Sequence, residues 1–195
     1  MRRKIILASA SKRRSAILTS CGIKHKTVKS RARELHSHSS PVSDIVKKNA
    51  EAKVLKVASK YKNSLLIGAD TLVRLGSKTI GKPRSRKEAE TMLYKFSGKK
   101  IDAYTGIHLL DTKTKKSVSG YEKSSLYVKR MDGAEIKRYF KALRPYDKAG
   151  GFSIEGVGSI IFDDIRGSYF NILGLPMQKL AQLFQKINLN ILDFI

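Results

Sequence analysis

The stretch Leu65-Leu66-Ile67-Gly68-Ala69-Asp70-Thr71 decides how this chain is read. Three consecutive large apolar residues followed by a glycine predict a buried strand. The same stretch delivers an isolated carboxylate, Asp70, at the end of that strand. A carboxylate released from a buried strand into a loop packs poorly but is well placed for chemistry. A second polar turn, Gly81-Lys82-Pro83, puts a lysine 12 positions after it.

Upstream, Ile5 to Ala8 reads as a short buried strand. A helix follows from about Ser11 to Cys21, with Ile17, Leu18 and Cys21 on one face and Gly22 as its stop. Lys24 to Val28 reads as an edge strand and residues 29–43 as a polar loop. Pro41 opens a long helix to about Lys60, with Val42, Ile45, Val46, Ala50, Val54 and Val57 at helical spacing. Downstream, a helix from Ser85 to Phe96 is closed by Ser97-Gly98. Ile101–Leu110 and Val118–Lys129 pair as a hairpin, and Asp132 caps a helix to about Leu143. A glycine-rich turn over Lys148–Gly158, a strand from Ser159 to Ile165 and a helix from Pro176 to Ile187 complete the chain. This alternation predicts an α/β fold with a mixed sheet, in one domain over residues 1–195.

Charge is the other feature that stands out. Forty Lys and Arg residues against 16 Asp and Glu give a net charge of +24, a field that attracts nucleotides, nucleic acid or an anionic membrane. The cations are spread over the whole length, so most read as solvated surface. Cys21, the lone cysteine, cannot form an internal disulfide and points to a reducing compartment. It reads as a small core residue. No apolar run approaches the roughly 18 residues needed to span a bilayer, and Ile5–Ala8 is short of the roughly 7–15 of a secretory signal. The expected location is the cytoplasm, without membrane association.

Three places carry candidate chemistry. In Leu7-Ala8-Ser9-Ala10-Ser11-Lys12-Arg13-Arg14, a strand ends, hydroxyls follow and a helix begins with basic residues. Free N–H groups, the helix dipole and a guanidinium then point at one place, as a phosphate requires. Asp70, with Thr71 and Lys82, could hold a divalent metal or act as the base that activates water. Gly76 to Lys82 looks like a P-loop, but Pro83 stands where the Mg²⁺-binding hydroxyl belongs, so that reading is rejected. The third place, Asp147 to Gly156, combines two adjacent glycines with Glu155. His36 and His38 lack a third ligand and read as surface residues rather than a zinc site.

Together these motifs resemble the Maf family of nucleoside triphosphate pyrophosphatases. Leu-Ala-Ser-x-Ser-x-Arg-Arg at 7–14, Gly-Ala-Asp-Thr at 68–71, Gly-Lys-Pro at 81–83, Phe-Ser-Gly at 96–98, Tyr-Thr-Gly at 104–106, Asp-Lys-Ala-Gly at 147–150 and Gly-Leu-Pro at 174–176 occur in the family's order. The resemblance implies an elongated inosine-triphosphatase-like mixed sheet with helices, two lobes flanking a central cleft, and a homodimer. It implies cleavage between the α and β phosphates of dTTP or UTP, or of modified nucleotides, with Mg²⁺ or Mn²⁺.

Carried over by position, Ser9, Arg13 and Arg14 bind phosphate, Glu34 and Lys53 complete the polar cleft, Asp70 accepts the proton and Lys82 meets the phosphates. Asp70 and Glu34 are the implied metal ligands. Substrate choice falls on Arg13, Thr71 and Glu155. The first two match the dTTP/UTP branch, whereas glutamate at 155 matches the 7-methyl-GTP branch, where dTTP/UTP members have glutamine. Lys12 stands where a proline is usual, which loosens the helix start. Two alternatives remain open: 7-methyl-GTP as substrate, and a basic nucleic-acid-binding regulator without catalysis.

Overall fold

Strands β1 (Lys4–Leu7), β2 (His25–Thr27) and β3 (Ser64–Leu75) run parallel with β1 in the middle, in a computed structural model that describes residues 3–35, 40–143 and 149–195. Ile5, Ile6 and Leu7 are all buried, as a strand covered on both faces requires. Helix α1 (Lys12–Ser20) carries the chain from β1 to β2, and α2 (Val42–Ala58) carries it back across β1 to β3. Parallel crossovers are right-handed, so two connections leaving in opposite directions put their helices on opposite faces of the sheet. The remaining strands are β4 (Lys78–Ile80), β5 (Lys100–Asp111), β6 (Ser117–Val128) and β7 (Phe162–Arg166). The strand order is β2-β1-β3-β5-β6-β7, with β4 antiparallel to β3 and β7 antiparallel to β6, so the sheet is mixed as expected.

The chain groups into two units. The first comprises Met1–Thr71, Thr105–Glu122 and Tyr169–Ile195, and the second Leu72–Tyr104 and Lys123–Ser168. In the first unit α2 buries Val42, Ile45, Val46, Ala50, Val54 and Val57, the stripe that its sequence spacing predicts. Each of the valine and isoleucine side chains contributes about 1.5–3 kcal/mol relative to exposure. Two glycines let α2 lie unusually close to the sheet. A Cβ on Gly68 would meet the Ala50 carbonyl and Val54 Cγ2, and one on Gly106 would meet the Val46 backbone. Helices α5 (Tyr169–Leu173) and α6 (Met177–Lys186) complete this unit.

The second unit is built on α3 (Arg86–Phe96) and α4 (Gly133–Ala142). Its core stacks Phe96 and Phe162 edge-on against Phe152, with centroids 6.4 and 5.5 Å away. Helix α4 starts with a full capping box: Asp132 Oδ1 accepts from the Glu135 amide and Glu135 Oε2 from the Asp132 amide, each at 2.8 Å. Ser97 accepts from the Met131 amide at 2.7 Å and donates to the Met131 carbonyl at 3.1 Å. This gives the Phe-Ser-Gly motif a structural purpose.

Several expectations change. Strand β3 does not end at Ile67; it runs to Leu75, and Asp70 lies buried in its middle. The reason is that Leu72 and Val73 are apolar and β4 pairs beside them, Val73 opposite Ile80, through the turn at Gly76. Gly167 to Asn171 reads from the sequence as a polar loop, whereas Tyr169–Leu173 form α5 with Asn171, Ile172 and Leu173 buried. Residues Gly156–Ile161 form a 3-10 turn, so β7 begins only at Phe162. Cys21 sits half-buried at the C-cap of α1 rather than in the core. His36, His38, Asp147 and Lys148 lie outside the described residues. Among the described residues, no helix is long and apolar enough to cross a membrane.

His108 on β5 is 3% exposed, with Nδ1 2.7 Å from Ser119 Oγ and a buried Nε2 that has no partner among the described residues. Burial pushes its pKa below the usual value, offset in part by the Glu51 charge. The unfolded chain therefore takes up this proton near pH 6.5 while the folded chain does not. Folding stability should fall as pH drops below that value, by at most about 1.4 kcal/mol per pH unit from this group. Urea titrations at pH 7.5 and 5.5 should show a smaller decline for His108→Gln than for wild type. Equal declines would contradict this assignment.

Candidate functional site

The pairing of β1 with β3 ends at Leu7 opposite Ile67, and the Ala8 amide donates to the Ile67 carbonyl at 2.8 Å. Strand β3 then continues past its neighbour. This is the carboxyl edge of the parallel strands, where the connections from β1 and to β3 leave in opposite directions, and ligands of such sheets bind there. Asp70 follows three residues after Ile67. Side chains alternate along a strand, so Gly68 and Asp70 face α2 while Thr71 faces the other side.

Asp70 is 5% exposed, and both of its carboxylate oxygens accept from α2. Lys53 Nζ donates to Oδ1 at 2.7 Å, and Asn49 Nδ2 donates to Oδ2 at 2.8 Å. Positions 49 and 53 are one helical turn apart, so both side chains point the same way. The Lys53 ammonium also lies 2.8 Å from Glu34 Oε1 and donates to the Ala69 carbonyl at 3.3 Å. One buried cation is thus shared by two carboxylates, which offsets the cost of burying it. Asn49 does a second job: its Oδ1 accepts from the Leu35 amide at 2.7 Å and its Nδ2 donates to the Leu35 carbonyl at 3.2 Å. The segment carrying Glu34 is thereby clipped to α2.

On the opposite face, Arg14 is fixed by three donated bonds. Nε reaches the Gly174 carbonyl at 2.7 Å, one terminal nitrogen reaches Thr71 Oγ1 at 3.0 Å and the other Ser9 Oγ at 3.3 Å. Thr105 donates to the Asn171 carbonyl at 2.8 Å, so at the 2.9 Å Thr71–Thr105 contact Thr71 is the donor. Its oxygen is left to accept from Arg14. Burial pushes the Arg14 pKa below the usual value, the Asp70 and Glu34 charges pull it up and Arg13 pushes it down. Ser11 caps α1, accepting from the Arg14 amide at 3.4 Å, so the helix start is closed despite Lys12.

The structure therefore brings the site residues together as two hydrogen-bonded groups on the two faces of β3 in the first unit, Glu34, Lys53 and Asp70 in one and Ser9, Arg14 and Thr71 in the other, with Arg13 half-buried in the first turn of α1. Lys82 and Glu155 belong to the second unit. Lys82 is exposed in a turn whose Gly81 carbonyl accepts from the Gly150 amide at 3.0 Å. Glu155 is exposed ahead of a 3-10 turn, its amide donating to Ser153 Oγ at 3.1 Å. Asn49, Thr105 and the Gly174 carbonyl escaped the sequence reading. A signal existed for Asn49: a polar residue on the apolar stripe of α2, one turn before a lysine on that stripe.

A divalent cation fits the donors present in one respect. Asp70 and Glu34 already converge on a single positive centre, the Lys53 ammonium. Among the described residues, no group of three His, Cys, Asp or Glu side chains could hold a metal. Mg²⁺ commonly takes only one or two protein carboxylates and fills the rest of its shell with water and substrate phosphate oxygens.

A family model described as "Maf-like protein" matches residues 4–187. A dTTP/UTP pyrophosphatase of Caldicellulosiruptor saccharolyticus is 36% identical over 97% of this chain and 98% of that protein. Proteins of the same name from Thermoanaerobacter sp. strain X514 and Desulforamulus reducens are 39% and 38% identical, covering 94% and 97% of this chain and 96% and 99% of theirs. A solved HAM1 protein from Coxiella burnetii aligns with a TM-score of 0.43 and 13% identity over 95% of this chain and 96% of that one, too weak a likeness to bear on the site.

Replacing Asn49 with leucine keeps the branching at Cγ but removes the donor to Asp70 and both bonds to Leu35. Hydrogen exchange should show the Leu35 amide losing protection, and stability should fall by about 1–3 kcal/mol. Undiminished protection at Leu35 would contradict the clip.

Proposed function

The chain belongs to the Maf family, and on that premise we propose that it is a nucleoside triphosphate pyrophosphatase releasing the nucleoside monophosphate and pyrophosphate from dTTP and UTP. The observation that carries this reading is the buried Asp70 carboxylate, oriented by Lys53 and Asn49 beside an arginine-lined helix start. The relatives at 36–39% identity, named as dTTP/UTP pyrophosphatases, support the same substrates.

In this reading Ser9, Arg13 and the first turn of α1 receive phosphate oxygens, and Lys82 adds charge to the triphosphate. A carboxylate offers about four lone-pair sites and Asp70 uses two of them on Lys53 and Asn49, so it still accepts from a water. Asp70 takes the water proton as the oxygen bonds to phosphorus; the phosphoanhydride breaks, and its electron pair leaves with the pyrophosphate oxygen. Such a base contributes about 10²–10⁴-fold in rate. A divalent cation held by Asp70 and Glu34 would supply neutralising charge at the phosphates. A dimeric, cytoplasmic enzyme that removes non-standard nucleotides is part of the same proposal.

One observation favours a second substrate. Glu155 carries an acceptor-only carboxylate, which suits the cationic ring of 7-methylguanine.

Pyrophosphate release from dTTP, UTP, the other standard triphosphates, 7-methyl-GTP and 5-methyl-UTP, with Mg²⁺ and with Mn²⁺, tests both readings. Release should be greatest for dTTP and UTP and should drop at least about 10²-fold in Asp70→Asn, with nucleotide binding retained. Silence across the panel from folded protein would overturn the enzyme, and a clear lead for 7-methyl-GTP would overturn the substrate. Glu155→Gln should raise the dTTP/UTP preference; an unchanged ranking would remove residue 155 from specificity.

A further inference from the structure

The proposed site uses four of the 40 Lys and Arg residues, namely Arg13, Arg14, Lys53 and Lys82. A second concentration lies at the other edge of the same strands. The first unit has a groove of about 720 Å³ lined by Arg3, Lys4, Lys24, Lys26, Lys60 and Lys62; no Asp or Glu side chain lines it, and Ile195, the last residue of the sequence, borders it as well. Topology brings these cations together. Lys4 opens β1, Lys24 and Lys26 flank the start of β2, and Lys60 and Lys62 lie in the turn into β3. The register sets Ile5 beside His25 and Lys4 beside Ser64, so three parallel strands begin abreast, about 4.8 Å apart, with their leading lysines on one edge.

Arg3 is neutralised from the side by Asp111, 3.0 Å away. The other five make no ion pair among the described residues. His25 adds no free donor, because its ring nitrogens are engaged by the Ile23 carbonyl and the Ser15 hydroxyl, each at 2.8 Å. Tyr61 supplies an aromatic ring, one part packed on the core around Ile6 and Val57, with Lys26 Nζ 6.0 Å from its centroid. The six steps from Ser64 to Asp70 span about 20 Å of strand, so an anion in this groove would not reach the Asp70 carboxylate.

We propose that this groove binds a single strand of nucleic acid through its phosphate backbone. Five close ammonium groups repel one another, and an opposite charge that spans them relieves the repulsion. One phosphate cannot neutralise five cations, whereas a strand places one charge per nucleotide along the groove. Reading a duplex in its major groove needs a projecting helix or ribbon, and a concave surface offers neither. A flexible strand follows the concavity and can stack a base on Tyr61. The groove stands apart from the catalytic cluster, and its occupancy does not depend on which nucleotide the enzyme hydrolyses.

Fluorescence anisotropy with a labelled 12-mer of thymidylate tests this, using the full chain across a salt series. The variant Lys24→Glu/Lys26→Glu/Lys62→Glu is compared with Lys95→Glu/Lys137→Glu/Lys141→Glu, which changes net charge equally on exposed helices of the second unit. The groove variant should bind at least about tenfold more weakly and lose about 2 from the slope of log K against log salt, while the control stays close to wild type. Both variants should keep wild-type melting temperatures. Equal loss in the two variants would mean diffuse attraction and overturn the groove. Absence of oligomer binding in wild type would overturn it too, as would binding to anionic phosphatidylserine vesicles without binding to the 12-mer.

Discussion

The close approach of α2 to β3 is the constraint on which the proposed site depends. Asn49 and Lys53 reach Asp70 only because the helix backbone lies where a Cβ on Gly68 or Gly106 would stand. Burying an ammonium and a carboxylate costs several kcal/mol per ion unless geometry and further hydrogen bonds compensate. Here the compensation is extensive: the ammonium has two carboxylates and a carbonyl, and the Asp70 carboxylate has an ammonium and an amide. Helix, strand and the Glu34 segment are thereby locked around one charge. Their positions become interdependent, which is what the role proposed for Asp70, orienting a water, needs.

The two faces of β3 divide the work. Asp70 faces α2 and its hydrogen-bonding partners, while Thr71, the next residue, faces Arg14 and the Thr105–Asn171 relay. Strand alternation alone separates, in the proposed mechanism, a proton-accepting face from an anion-binding one across a single peptide. The Asp70 charge still acts on Arg14, pulling up the pKa that burial depresses. An acid and a guanidinium held apart by the sheet keep their separate roles, where direct pairing would have consumed both.

Much of this was legible in the sequence. The apolar stripe of α2, the Ser11 cap and the Asp132 capping pattern each rest on local spacing, and each forms where spacing puts it. Motifs that looked like turns became intelligible only through distant contacts. Gly174 of Gly-Leu-Pro offers its carbonyl to Arg14, 160 residues away, and Thr105 of Tyr-Thr-Gly completes the Thr71 relay. The extension of β3 beyond Ile67 was missed because Asp70 and Thr71 interrupt its apolar pattern, and it is β4 that sustains the strand. Asn49 was missed because an amide on a helix face says nothing of its partners until the fold brings Leu35 and Asp70 to it. Sequence order points to Lys82 as the lysine beside Asp70, whereas the ammonium on its carboxylate belongs to Lys53.

The central claim is that the Lys53 ammonium, shared by Asp70 and Glu34, holds the hydrolytic centre together. Its most direct test is dTTP turnover by Lys53→Met, a side chain of similar length without charge, with Lys53→Gln as a second uncharged variant and circular dichroism confirming the fold. The account predicts a loss of at least about 10²-fold in kcat for folded protein. Folded variants that turn over dTTP within about twofold of wild type would contradict it.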